Sequence, residues 1–201
     1  GIGGDTAIAL FRVTDDRIVL VGNYQPSAGA NYDYGLAAFT GTGDHDITFD
    51  SDGIASATYY TFDEVRGATR DAQGRFLLLG AGNDGGAVVV RFNEEGALDT
   101  TFGENGFATV SWEGLTLTFS GIATDASNDI YVAGYVGEMS TRPLAYFKLT
   151  SSGALVAPFR RPERYRTLSA IAPIVAPAQV PWGRKAFAGY LGPDEAAWRD
   201  W

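Results

Sequence analysis

The chain has 201 residues, 45% of them apolar, with 12 Phe, 10 Tyr and 4 Trp, and that supply of core-forming side chains excludes a disordered chain. A net charge of −9, from 15 Lys and Arg against 24 Asp and Glu, disfavours a nucleic-acid binder, which must displace phosphate counterions with basic residues. There is no cysteine, hence no disulfide and no thiolate metal site, and no apolar run approaches the roughly 18 residues of a membrane-spanning helix.

The chain opens Gly1-Ile2-Gly3-Gly4, without Met. That start reads as a processed or trimmed product whose targeting segment is out of view. The lack of cysteine fits a bacterial protein outside the cytoplasm, the expected location: periplasmic, cell-surface or secreted.

From residue 5 onward the chain repeats itself. The first unit, 5–58, contains Ile18-Val-Leu-Val-Gly22, then Phe39-Thr-Gly-Thr-Gly43, Phe49 and Gly53. The second, 59–113, contains Phe76-Leu-Leu-Leu-Gly80, then Phe92-Asn-Glu-Glu-Gly96, Phe102 and Gly106. The third, 114–160, contains Ile130-Tyr-Val-Ala-Gly134, then Leu149-Thr-Ser-Ser-Gly153 and Phe159. The spacings of 4, 6 and 4 residues recur in the first two units, and 4 and 6 in the third. A degenerate fourth repeat or tail, 161–201, carries the fainter Lys185-Ala-Phe-Ala-Gly189. Residues 1–159 hold 8 basic and 20 acidic residues, whereas 160–201 hold 7 and 4, so the charge changes sign where the repeat fades.

Each unit holds four short apolar and β-branched runs separated by turn residues; in the second they are 64–70, 75–80, 87–93 and 107–112. Turns fall at Asp15-Asp16, Ala72-Gln73-Gly74 and Ser127-Asn128-Asp129. A four-strand unit recurring at this spacing cannot bury both its faces alone and must stack on its neighbours. The fold class is therefore all-β: a β-propeller-like array of four-stranded antiparallel blades in one domain, 5–201. About 3.75 blades are present, as a closed four-blade ring or as part of a larger propeller.

The run Val90-Arg-Phe-Asn-Glu-Glu-Gly-Ala-Leu-Asp-Thr-Thr-Phe-Gly-Glu-Asn-Gly106, followed by Ala123-Thr-Asp-Ala-Ser-Asn-Asp-Ile-Tyr-Val-Ala-Gly-Tyr135, resembles the bacterial delta-60 repeat. The likeness covers 5–159. The first copy has Asp46-Ile-Thr-Phe49 in the Asp-Thr-Thr-Phe element, and the third loses the Asp, with Val156-Ala-Pro-Phe159. The resemblance implies a propeller-like fold in exported bacterial proteins and implies no activity.

Few residues point to chemistry. Gly80-Ala-Gly82-Asn-Asp-Gly85 matches a dinucleotide-binding pattern, but the apolar run Ala87-Val-Val-Val90 follows where a helix is needed, so it reads as a turn. Asp44, Asp46, Asp50 and Asp52 surround His45, the single histidine. Alternate carboxylates could hold calcium, though the EF-hand spacing and its closing Glu are missing; otherwise they cap turns, with Asp46 matching Asp99. No nucleophile–His–Asp triad can be argued from one loop histidine, so no catalytic residue is assigned. Arg160-Arg161-Pro162-Glu163-Arg164-Tyr165-Arg166 is the one basic cluster, a linker or a docking patch.

One end of the array has loops of variable length rich in aromatic residues. There Tyr24, Tyr32, Tyr34, Tyr59, Tyr60, Trp112, Tyr135 and Tyr190 form the expected ligand-binding set, about half of them buried between blades. The expected function is a non-enzymatic, exported binding or scaffold module recognising a glycan or protein. The alternatives are a carbohydrate-active enzyme and a half-propeller completed by another chain, as a homo-oligomer or with a partner.

Overall fold

The structure is a computed structural model in which residues 5–60, 63–81, 86–111, 117–137 and 144–159 are described. All of them lie in the first of the two units into which the chain divides, Gly1–Arg164; the second is Tyr165–Trp201. The degenerate fourth copy and the basic run 160–166 lie outside the described residues, as do 82–85 of the glycine-rich pattern.

The described residues form strands and no helix. The first sheet is β1 (Thr6–Arg12), β2 (Arg17–Tyr24), β3 (Asp33–Thr40) and β4 (Ile54–Ala57). The second is β5 (Val65–Arg70), β6 (Phe76–Ala81), β7 (Ala87–Phe92) and β8 (Phe107–Val110). The third is β9 (Leu117–Thr124), β10 (Ile130–Val136), β11 (Leu144–Leu149) and β12 (Leu155–Phe159). Within each sheet the strands lie in sequence order and every neighbouring pair is antiparallel. Three four-stranded antiparallel sheets in succession are consistent with a β-propeller-like arrangement. The strands expected in the second unit fall within two residues of β5–β8.

The apolar pattern follows from the packing. One core joins Val19, Val21, Tyr34, Leu36 and Ala38 of the first sheet to Phe76, Leu78, Val88 and Val90 of the second. Another joins Leu77, Leu79, Ala87 and Val89 of the second to Phe119, Ile130, Val132 and Phe147 of the third. The second sheet is thus buried on both faces, which is why β6 and β7 read as unbroken runs of Leu and Val instead of alternating. Each outer sheet buries one face of its own. Ile8 and Leu10 on the first, and Leu144 and Tyr146 on the third, stay exposed.

The turn after the third strand has the same conformation in all three units. Gly43, Gly96 and Gly153 have φ of 91, 95 and 90°, a region that L side chains rarely adopt. The amides of Thr40, Asn93 and Thr150 each donate to the carbonyl four residues on, at 2.8 Å. Neighbouring sheets are joined by one equivalent backbone bond. The Asp50 amide donates to the Glu95 carbonyl, and the Gly103 amide to the Ser152 carbonyl, both at 2.8 Å.

Candidate functional site

The members of the aromatic set differ in exposure. Tyr34 is fully buried in the first core, so its ring is not available to a ligand as expected. Burial raises its hydroxyl far above the usual phenol range. Tyr59 is exposed, its ring 4.5 Å from Tyr60 and 4.8 Å from Phe107. Tyr24, Tyr32, Tyr60 and Tyr135 are half-buried, and Trp112 and Tyr190 lie outside the described residues. Tyr34 and Tyr59 therefore pack on Phe107 between the first two sheets, with Tyr60 edge-on to Tyr59. Asp63 lies among them, fully buried, accepting hydrogen bonds from the Tyr59 and Tyr60 amides. Its carboxyl is raised, chiefly by burial.

The acidic loop is occupied with holding itself together. Asp46 accepts from the Thr48 hydroxyl at 2.5 Å, the Thr48 amide at 3.1 Å and Arg17 Nε at 2.6 Å. These bonds, the Thr48 hydroxyl first, lower its carboxyl to about 2. Asp52 caps the Ile54 amide and Asp44 takes the Thr42 hydroxyl. Among the described residues no group of three or more His, Cys, Asp or Glu is placed to hold a metal ion. Asp99 repeats the Asp46 pattern in the second unit, accepting from Thr101 and from Arg91 Nε at 2.8 Å.

A cavity of about 290 Å³ opens at the end that carries the acidic loop, between the second and third sheets. The β5–β6 turn supplies Gln73 and, at the start of β6, Arg75; β7 supplies Arg91 and the β7–β8 loop Thr101. The third sheet contributes Ser127 and Asn128 from the β9–β10 turn, and Ser151 and Ser152 from the β11–β12 turn. Two turns hold the rim through aspartates. Asp71 accepts from the Gln73 and Arg75 amides, and Asp125 from the Ser127 and Asp129 amides. Asn128 Oδ1 then takes the Ala72 amide across the seam at 2.9 Å. The sequence located the turns at Ala72-Gln73-Gly74 and Ser127-Asn128-Asp129, but the turns themselves gave no sign of a cavity between them. The one signal available was Arg91, a buried arginine inside an apolar strand where the first unit has Ala38.

The described chain is an all-β sheet array with a polar cleft at its turn end. No family model matches it. A stretch of 47 residues, 23% of the chain, is 53% identical to S-formylglutathione hydrolase from Rattus norvegicus. The chain spans 17% of that protein's length. This similarity overturns the expectation of a non-enzymatic binding or scaffold module: the relative is a hydrolase.

Proposed function

We propose that the chain acts in ester or thioester hydrolysis, with the resemblance to the hydrolase carried by its C-terminal part, about residues 155–201. The observation that carries the proposal is the 53% identity over 47 residues. The position rests on the sequence. Residues 5–159 are occupied by a recurring unit, and a relative of one copy would resemble its siblings too. The stretch beyond, 160–201, is close to the matched length and differs in charge, and it holds five of the eight prolines, at 162, 173, 177, 181 and 193.

Such hydrolysis needs a nucleophile, a base within hydrogen-bond reach and donors aimed at the developing oxyanion. His45 lies exposed in the β3–β4 loop with its ring 4.9 Å from Phe39. Among the described residues it makes no hydrogen bond to a serine or aspartate. The sheet array thus supplies no Ser-His pair, and in this reading it is a propeller-like repeat array, of the kind the delta-60 resemblance implies, in the same chain as the hydrolase-related part.

The test is an assay of the full chain for thiol release from S-formylglutathione and for cleavage of p-nitrophenyl acetate. Turnover above the buffer rate, unchanged in His45→Ala, is the expected result. A purified, folded chain that turns over neither substrate overturns the proposal.

A further inference from the structure

The turn-end cleft has a feature that the repeat does not require. In the first unit one guanidinium holds the acidic loop. Arg17 gives Nε to Asp46 and one terminal nitrogen to the Thr48 hydroxyl, at 2.6 and 2.7 Å. In the second unit that role passes to Arg91, which gives Nε to Asp99 and Nη1 to the Ser151 carbonyl and is only 3% exposed. Arg75, the positional equivalent of Arg17, is thereby released from the loop. Its Nε bonds Asp71 at 2.6 Å, and its two terminal nitrogens bond nothing else among the described residues. The side chain, 20% exposed, lines the cleft.

Two guanidiniums thus share one cavity whose other lining groups are hydroxyls and amides, with no carboxylate among them. Asp71 bonds Arg75 and Asp99 bonds Arg91, each at Nε, and both carboxylates favour the charged form of Arg91. Burial first, and the neighbouring Arg75 second, make the charged form of Arg91 harder to keep. A negative group seated between the forks offsets that repulsion, and guanidinium N–H groups match the geometry of an oxyanion. An apolar ligand gains little from so polar a lining, and a cation meets two positive charges.

We propose that this cleft is an oxyanion-binding site for a small polar molecule carrying a phosphate or carboxylate group. The terminal nitrogens of Arg75 take the anion, beside Arg91. The hydroxyls of Thr101, Ser127 and Ser152 and the Nδ2 of Asn128 meet the rest of the ligand. The site lies in the sheet array and is independent of the hydrolytic reading.

The test uses the full chain with inorganic phosphate and with acetate, each compared with sodium chloride at matched ionic strength. Binding is read by calorimetry and by the rise in melting temperature that any ligand of the native state produces. A saturable response to phosphate or acetate, with Kd on the order of millimolar, is expected, and which anion gives it separates the two ligand classes. Arg75→Gln weakens binding at least tenfold, and Arg17→Gln leaves it unchanged. Because Arg75→Gln also loses its bond to Asp71, Ser127→Tyr serves as a second variant. Ser127 is exposed, so the ring obstructs the cleft mouth without touching the core, and binding is lost in a folded protein. No saturable response to either anion overturns the proposal, as does a response that persists in both Arg75→Gln and Ser127→Tyr.

Discussion

The Phe49 ring of the first sheet lies against Gly96 of the second, with its Cε1 2.6 Å from where a Cβ on that glycine would stand. Phe102 repeats the contact on Gly153 of the third sheet at 2.9 Å. Both rings are fully buried. The glycine therefore meets two demands at once: a left-handed turn and space for a neighbour's aromatic ring.

Gly43, Gly96 and Gly153 separate those demands. All three have φ near 90°, so alanine at any of them costs about 1–2 kcal/mol for the backbone. At Gly43 an added Cβ meets nothing within 4 Å, whereas at Gly96 it meets the Phe49 ring. Gly96→Ala is expected to lose about 1–3 kcal/mol more than Gly43→Ala, from overpacking. Urea unfolding of the two variants measures the difference, and equal losses would contradict the ring-on-glycine contact.

Phe102 joins the seam to the interior, with the Arg91 guanidinium 4.4 Å from its ring centroid. Phe102→Ala removes a fully buried ring and is expected to cost about 3–5 kcal/mol. Phe102→Leu should recover more than half of that loss in the same unfolding experiment.

The hydrogen bonds of Asp46 set an acid limit. Its carboxyl is lowered from 3.8 to about 2 by Thr48 and Arg17. A carboxyl lowered on folding adds stability that is fully present above its unfolded value and fades as pH falls through the folded value. Stability should therefore decline from pH 4 toward pH 2. Asp46→Asn should be less stable at pH 7 and show a shallower decline in that window, as read from melting temperature against pH.

Leu10 on the open face of the first sheet is 61% exposed. Leu10→Lys is expected to change stability by less than about 0.5 kcal/mol, as for surface positions generally. It should also reduce the fluorescence of a dye that reports exposed apolar surface. A large loss of stability would show that this face is covered in solution.

The strands were legible because burial on both faces leaves Phe76-Leu-Leu-Leu and Ala87-Val-Val-Val with no polar residue at their centres. The turns were legible because Gly43, Gly96 and Gly153 keep one spacing from Phe49, Phe102 and Phe159. Burial of Tyr34 was not, since a tyrosine at a loop edge reads the same whether its ring points out or under the next sheet. The turn-end cleft was hidden for another reason. Arg75, Thr101, Asn128 and Ser152 come from four separate turns and strands, and each alone looks like a solvated polar residue. The similarity to a hydrolase was not legible from motifs, because the single histidine, His45, stands in a loop with no triad spacing around it.

The backbone bond from Asp50 to Glu95, repeated from Gly103 to Ser152, has a direction. In each case the earlier unit gives the amide and the later one gives the carbonyl. The two joints among the described residues share this pair of fittings, beside side-chain bonds that differ between them. Excising or duplicating one whole unit would leave that shared backbone bond available at each joint, so the length of such an array is open to change by recombination in steps of one unit.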